Sequence, residues 1–258
     1  MSNPNGVRQT LQWIALAFAI MVVVLCLGMP PFNETRGQAR FSQCRVNLKQ
    51  IALALHNYHD TYGTFPPAYV AGPDGEPWHS WRALLLPFLD QSAFYEQYRF
   101  DEPWNGPNNS ELAGQLPRGH PFYFCPADDA ANREGITSYV AVVGAGTLWP
   151  ADGSSLSLDD IADGQNRTIH VVETTDSGIH WMEPRDLSLD AMSFVLNDRD
   201  GQAIRSNHPG EPRWFGRSGP LRINVAYADG DAQPLTPETS AETLRALLLR
   251  DDGGPTDF

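Results

Sequence analysis

A few groups of residues in this chain have the types and spacing that chemistry can use. His56, His59 and Asp60 lie within one apolar-periodic stretch, and a three-residue step on a helix brings the two imidazoles near one face. That spacing is compatible with transition-metal ligation. Two or three donors from a single element do not close a coordination sphere, however, and no companion Cys or His cluster follows. Capping the helix end and bonding to loops is the better reading of these side chains. Asp159, Asp160 and Asp163, with Gln165 and Asn166, form an oxygen-rich loop of the kind calcium uses. The loop lacks the Asp-x-Asp-x-Asp-Gly ladder with its distant Glu, and an Asp-Gly turn leading into a strand also accounts for it. Asp229-Gly230-Asp231 is explained by a hairpin turn.

Nucleophilic chemistry finds little footing. No Gly-x-Ser-x-Gly elbow occurs, and Gly144-Ala145-Gly146 lacks the third glycine and the helix a dinucleotide loop needs. Ser, His and Asp are all present, but a triad is defined by geometry and not by inventory. Trp78, Trp81, Trp104, Trp149, Trp181 and Trp214 fall among Pro and Gly. Packing loops onto a core is their main expected work, with a carbohydrate- or peptide-binding groove as the alternative. No catalytic, cofactor-binding or metal-ligating residue is assigned, cofactors are left unknown, and the chain is expected not to be an enzyme.

The elements that would position these residues begin with an apolar run. Leu11 to Met29 holds no charge and one amide, Gln12. A helix of that length spans about 29 Å, the thickness of a bilayer's hydrocarbon core. Trp13 would sit at an interface, and Pro30-Pro31 would end or kink the helix. A cleaved signal peptide would have a shorter apolar core and a small-x-small site, which Gly28-Met29-Pro30-Pro31 does not supply. The reading is a short tail (1–10), a transmembrane helix (11–29) and an extracytoplasmic domain (33–258). Orientation is contested, because Arg36, Arg40, Arg45 and Lys49 follow the run and only Arg8 precedes it. Cys26 lies within the run, leaving Cys44 and Cys125 as the soluble pair. In an exported domain these would be expected to bridge; two unpaired buried thiols are the alternative.

From Gly37 to about Tyr62, Phe41, Cys44, Leu48, Ile51, Leu55, Tyr58 and Tyr62 draw one helical stripe, stopped at Gly63. Ser80–Tyr98 reads as a second helical stretch bent at Pro87, and Asp101–Pro121 as loop. TSYVAVV (Thr137–Val143), TIHVVE (Thr168–Glu173) and RINVAYA (Arg222–Ala228) read as strands. Asp229-Gly230 predicts a hairpin into DAQPL. Thr236-Pro237-Glu238 opens a last helix, with Thr236 as its cap. Helices first and strands later give α+β with an antiparallel sheet.

Composition bounds the rest. The 258 residues carry 18 basic and 31 acidic side chains, a net charge of −13. Such a polyanion is repelled by phosphate backbones, so nucleic acid is not expected as a partner. All the acidic residues lie beyond the apolar run, beginning with Glu34, which also disfavours close adhesion to an anionic membrane surface.

Several stretches together resemble a bacterial family catalogued as domain of unknown function 1559, whose members carry a type IV prepilin-like N-terminus. They are Cys44 with NLKQIALALHNYHDTYGTFPP, SWRALLLPFLDQ, DEPWNGPNN, FYFCPADD, TSYVAVVGAGT, IADGQNRTIHVVE and WMEPRDL, then His208-Pro-Gly, INVAYADGDAQPL and LRALLLRDDGG. The resemblance implies a pilin-like fold in which an N-terminal transmembrane helix and a long amphipathic helix pack on an antiparallel sheet. It implies a membrane-anchored extracytoplasmic protein with a structural or assembly role, and secretion or pilus-like envelope components as partners. A ligand-binding module and an uncharacterised hydrolase are the alternatives. Two departures stand out. Pro30 and Cys44 keep the family's separation of fourteen residues, yet in that register Arg8 replaces the cleavage glycine and Trp13 the glutamate. A chain that keeps its N-terminus and does not build filaments is the expectation. His208 and Asp229 enclose twenty residues, more than the family usually places between its His and Asp-Gly, and the extra segment carries Arg213, Trp214 and Arg217.

Overall fold

The computed structural model describes residues 4–28, 32–115, 122–128, 135–208, 210, 212–213, 217–219, 221–236 and 238–253. The chain divides into two compact units, Met1–Gly37 and Gln38–Phe258. The first contains helix α1 (Pro4–Gly28). Its side chains are described at 8, 9 and 11–23, and the large apolar ones are all exposed, from Val22 at 41% to Trp13 at 69%. The remainder of the apolar run, the side chains of 24–28 and all of Met29, lies outside the described residues. Among the described residues no helix is long and apolar enough to cross a membrane.

Helix α2 (Phe32–Tyr62) starts five residues before the helical stripe predicts, and most of it belongs to the second unit. Phe41, Cys44, Leu48, Ile51, Ala52 and Leu55 are buried, while Lys49, Gln50 and Leu53 face out. Each large apolar side chain so enclosed stabilises the fold by about 1.5–3 kcal/mol. Gly63, at φ 79°, ends the helix by donating its N–H to the His59 carbonyl at 2.7 Å.

A short hairpin follows, β1 (Tyr69–Ala71) with β2 (Pro77–Ser80). The stretch expected as one bent helix is three separate turns: α3 (Trp81–Leu84), a 3-10 turn (Leu86–Leu89) and α4 (Ser92–Tyr95). Pro87 removes a donor, and Asp90 adopts a left-handed φ of 58°, so no helical ladder can run through. The expected loop after Asp101 contains α5 (Pro107–Gln115). Proline at its first position suits a helix start.

The remaining strands are β3 (Tyr139–Val140), β4 (Val142–Val143), β5 (Ile169–Glu173), β6 (Leu187–Ser188), β7 (Met192–Ser193), β8 (Gln202–Ala203), β9 (Pro212–Arg213), β10 (Arg217–Ser218), β11 (Ile223–Tyr227) and β12 (Ala232–Leu235). The central sheet has the order β12-β11-β5-β3, antiparallel throughout. Small parallel pairs, β4 with β6 and β7 with β8, lie beside it. The segment between His208 and Asp229 includes an antiparallel pair, β9 with β10; Trp214 lies outside the described residues. The predicted hairpin forms at Asp229-Gly230, with Gly230 at φ 89°. Helix α6 (Ala241–Leu248) is capped by Ser240, whose hydroxyl accepts from the Thr243 N–H at 3.0 Å, and not by Thr236. Pro237 lies outside the described residues.

The sheet is covered on both faces. The buried side of α2 shares one cluster with Tyr139, Val171, Ala226 and Ala232. Leu244, Leu247 and Leu248 of α6 share another with Val140, Ile169, Val172 and Val225. This is α+β, with the long helix on one side and the short one on the other.

One irregularity decides which side chains meet α2. In β5, Val172 pairs with Val225 and Val171 with Ala226, but Ile169 pairs with Tyr227, so His170 is an extra residue. Strict alternation from Ile169, which faces α6, would also send Glu173 toward α6. The bulge shifts the phase by one residue, and His170, Val171 and Glu173 all turn to the α2 side.

Candidate functional site

Four side chains from four separate parts of the second unit converge under α2. Cys44 comes from the helix, Cys125 from the loop before the sheet, Glu173 from the end of β5 and His208 from the segment before β9. All four are fully enclosed. Cys44 and Cys125 form a disulfide, with Cα atoms 5.3 Å apart across 81 positions of sequence. Nε2 of His208 lies 3.2 Å from Cys125 Sγ and 2.8 Å from Glu173 Oε1.

The surroundings fix each member. The Cys125 N–H donates to Ser138 Oγ at 3.0 Å, and Asn47 Nδ2 donates to the Phe124 carbonyl at 3.1 Å, binding this loop to α2. Glu173 Oε2 accepts from both the backbone N–H and the side-chain amide of Asn224, at 3.2 and 3.1 Å. Its Oε1 is close enough to His208 for an ion pair but has no hydrogen bond of good geometry. Across the strand pair from Glu173 stands Tyr139, whose phenol is pushed well up by burial and then by the nearby Glu173 carboxylate. Phe41 packs edge-on against the His208 ring at 5.2 Å, with the Arg222 guanidinium 3.9 Å over the outer ring. Gln38 closes this corner by donating to the Gly210 carbonyl at 3.3 Å.

Two sulfurs, one imidazole nitrogen and one carboxylate oxygen therefore stand within 4.8 Å of one another, the one such donor group among the described residues. The types match a Cys₂-His-carboxylate set of the zinc class, though the bridge holds both sulfurs in this state. The geometry differs from a thiol–imidazole–carboxylate relay. There the sulfur and the carboxylate address opposite ring nitrogens, whereas here both face Nε2, and Nδ1 has no partner among the described residues.

The residues singled out by spacing lie elsewhere. His59 Nε2 accepts from the Leu158 N–H at 3.3 Å, and its ring lies 5.0 Å from Phe65, so it ties the end of α2 to the next loop. His56 is half-buried beside Phe65, and its Nε2 is buried without a hydrogen bond. Asp60 is exposed. In the oxygen-rich loop, Asp160 accepts from the N–H and hydroxyl of Ser157, and Asp163 from the Asp252 and Gly253 N–H groups. The Asp229 carboxylate accepts from the Asp231 N–H, and Asp231 pairs with Lys49 at 2.7 Å. Trp81, Trp149 and Trp181 are buried in the core; Trp78 donates to Asp74, and Trp104 stacks on His180.

Residue spacing also misses a second buried pair. Arg82 and Asp186, both enclosed, form an ion pair that also receives the Ala141 N–H at 2.7 Å and Trp81 Nε1 at 3.1 Å. Burial pushes the Asp186 carboxyl up, and Arg82 works against that shift. This network joins α3 to β3, through Arg82 Nε and the Tyr139 carbonyl at 3.1 Å, and to Ala141 between β3 and β4.

A cleft of about 330 Å³ opens nearby in sequence, lined by Thr175, Asp176, Asn197, Arg199, Arg205 and Ser206 among others. The Ser206 hydroxyl accepts from the His208 N–H at 3.1 Å, so one residue lines the cleft and seats the buried imidazole.

Compared with known proteins, residues 33–236 match the family described as protein of unknown function DUF1559. No curated protein and no solved structure matches. The match spans all four converging residues.

Proposed function

The chain belongs to the DUF1559 family, and from that premise we propose that it is a membrane-tethered extracytoplasmic protein with a pilin-like domain, serving a structural or assembly role at the cell envelope. The observation that carries this reading is the uncovered apolar face of α1. Leu11, Trp13, Ile14, Leu16, Phe18 and Ile20 are 49–69% exposed. An apolar surface of this extent on a soluble domain marks a membrane or partner contact.

The bridge supports the compartment, since disulfides persist where the environment oxidises. Burial at 44 and 125 makes the bridge a structural clamp, joining the helix to the loop that enters the sheet. A long helix packed on an antiparallel sheet supports the pilin-like comparison. The basic residues after the apolar run do not oppose export, because large domains translocate largely regardless of flanking charge. Residues 11–29 would hold the bilayer, and secretion or pilus-like envelope components are the partners this reading names.

Fractionation tests the tether. The full chain should remain in the membrane pellet through an alkaline carbonate wash, and a chain lacking residues 1–29 should be soluble. Release of the full chain by carbonate would contradict it.

A second reading rests on the polar cleft beside Arg199 and Arg205, which suits a small anionic solute. Concentration-dependent thermal stabilisation by small dicarboxylates or sugar acids would favour it.

A further inference from the structure

Beyond the tethering role, and independently of it, we propose that Cys44, Cys125, Glu173 and His208 form a redox-gated site for one zinc-class divalent metal ion. The bridge and the ion are alternative occupants of the same point. In the oxidised chain the sulfurs are spent on each other. In the reduced chain two thiolates, Oε1 of Glu173 and Nε2 of His208 surround the ion.

Three observations carry the assignment. First, the four donor atoms already lie within 4.8 Å of one another in a fully enclosed setting. Tetrahedral zinc, with bonds of about 2.0–2.3 Å, needs ligand atoms about 3.3–3.8 Å apart. Nε2 and Oε1 at 2.8 Å, and Nε2 and Sγ at 3.2 Å, need only relax outward. The sulfurs of a bridge, about 2 Å apart, must separate to about 3.7 Å, which side-chain rotation after reduction supplies.

Second, the polar atoms are left over. A buried carboxylate oxygen ordinarily accepts a hydrogen bond, and Oε2 of Glu173 accepts two from Asn224. Oε1 accepts none and faces the sulfurs and the imidazole instead. Nδ1 of His208, also without a partner among the described residues, can carry the ring proton while Nε2 ligates. Third, the donors come from four separate parts of the chain, so an ion there would clamp the same elements as the bridge. Thiolate donors select a zinc-class ion over calcium or magnesium.

The steps balance. A dithiol reductant gives two electrons and two protons to the bridge, leaving two thiols and an oxidised reductant. The ion then displaces the two thiol protons as both Sγ–metal bonds form. In the reverse direction a disulfide oxidant takes two electrons from the two thiolates and two protons from solvent, becoming a dithiol, while the Cys44–Cys125 bond re-forms and both Sγ–metal bonds break, expelling the ion.

The test uses the full chain, reduced with a phosphine that does not itself ligate through sulfur, and titrated with Co(II) under anaerobic conditions. The expected result is uptake of one equivalent, with thiolate-to-metal charge-transfer bands and tetrahedral d–d bands, both abolished by zinc. The unreduced chain should show neither. Cys26→Ser should leave uptake unchanged. Glu173→Gln and His208→Gln should each alter the d–d bands and weaken binding by more than the roughly 10–100-fold that losing an orienting partner costs. Absence of the charge-transfer bands in the reduced chain would overturn the proposal. Uptake that ignores both substitutions would overturn it too, whether or not the reduced chain stays folded.

Discussion

Glu173 and His208 meet at 2.8 Å although 35 positions separate them in sequence and neither exposes any side-chain surface. The contact exists because β5 carries a bulge at His170 that turns Glu173 toward α2. The same turn lets Asn224, one strand over, donate from its backbone N–H and its side-chain amide to Glu173 Oε2, while that amide also donates to the Phe41 carbonyl of α2. Removing one partner leaves the facing atom of the other buried without its counterpart. Glu173→Ala should cost about 3–5 kcal/mol in urea unfolding, and His208→Leu should cost a comparable amount. The double variant should be less destabilised than the sum, by at least about 0.5 kcal/mol. Strict additivity would show that the two do not act as a pair.

The bridge closes a long loop, and a chain-entropy estimate for a sequence separation of 81 gives about 4.5 kcal/mol. Reduction in the absence of metal should therefore lower the melting temperature of the domain by roughly 9–18 °C. Calorimetry with and without reductant measures this. Equal melting temperatures would mean that α2 holds the pre-sheet loop without the bridge.

Arg82 and Asp186 make the second buried pair, fixed by Tyr139, Ala141, Ser80 and Trp81. Asp186→Ala should destabilise by about 3–5 kcal/mol, because it leaves a guanidinium uncompensated. Replacing both by Met and Leu should recover most of that loss. Denaturant midpoints at constant slope would report it.

His170 gives the fold an acid-sensitive element. Burial, then the neighbouring His56, pushes its pKa down to about 3, while an unfolded chain protonates it near pH 6.5. The unfolded state therefore binds the extra proton between those values, and stability falls as pH drops from about 6.5 toward 3, by up to about 1.4 kcal/mol per unit. Its Nε2 has no hydrogen bond, and Trp149 Nε1 donates to its carbonyl and not to its ring. His170→Leu should thus fold and should flatten the stability profile over that window. An unchanged slope would remove His170 as the cause.

Much of the scaffold was legible in the sequence. The stripe from Phe41 to Leu55 is helical because its apolar steps are three and four, and Gly63 supplies the left-handed stop. TIHVVE, RINVAYA and DAQPL pair as strands around an Asp-Gly turn. The site was less legible, although each of its members sits in a stretch that carries the family resemblance. Which face Glu173 takes depends on one unpaired residue in β5, and that is set by partners at 226 and 227, far along the chain. His208 is drawn in by Phe41 and Ser206, contacts with no local signature. Helix α5 escaped because its Pro, Asn and Gly suggest a loop. It forms around Asn109, whose side chain accepts from the Arg99 N–H and donates to the Arg99 and Pro103 carbonyls. The His56–His59 step was real as geometry, but the helix end and the Leu158 N–H use it.

The tether across the membrane is the central claim, and protease access to the domain in spheroplasts tests it most directly. The account predicts that protease added outside intact spheroplasts removes the domain beyond residue 33, leaving a membrane-bound fragment that contains residues 11–29. Full protection until the membrane is lysed would put the domain in the cytoplasm and contradict it.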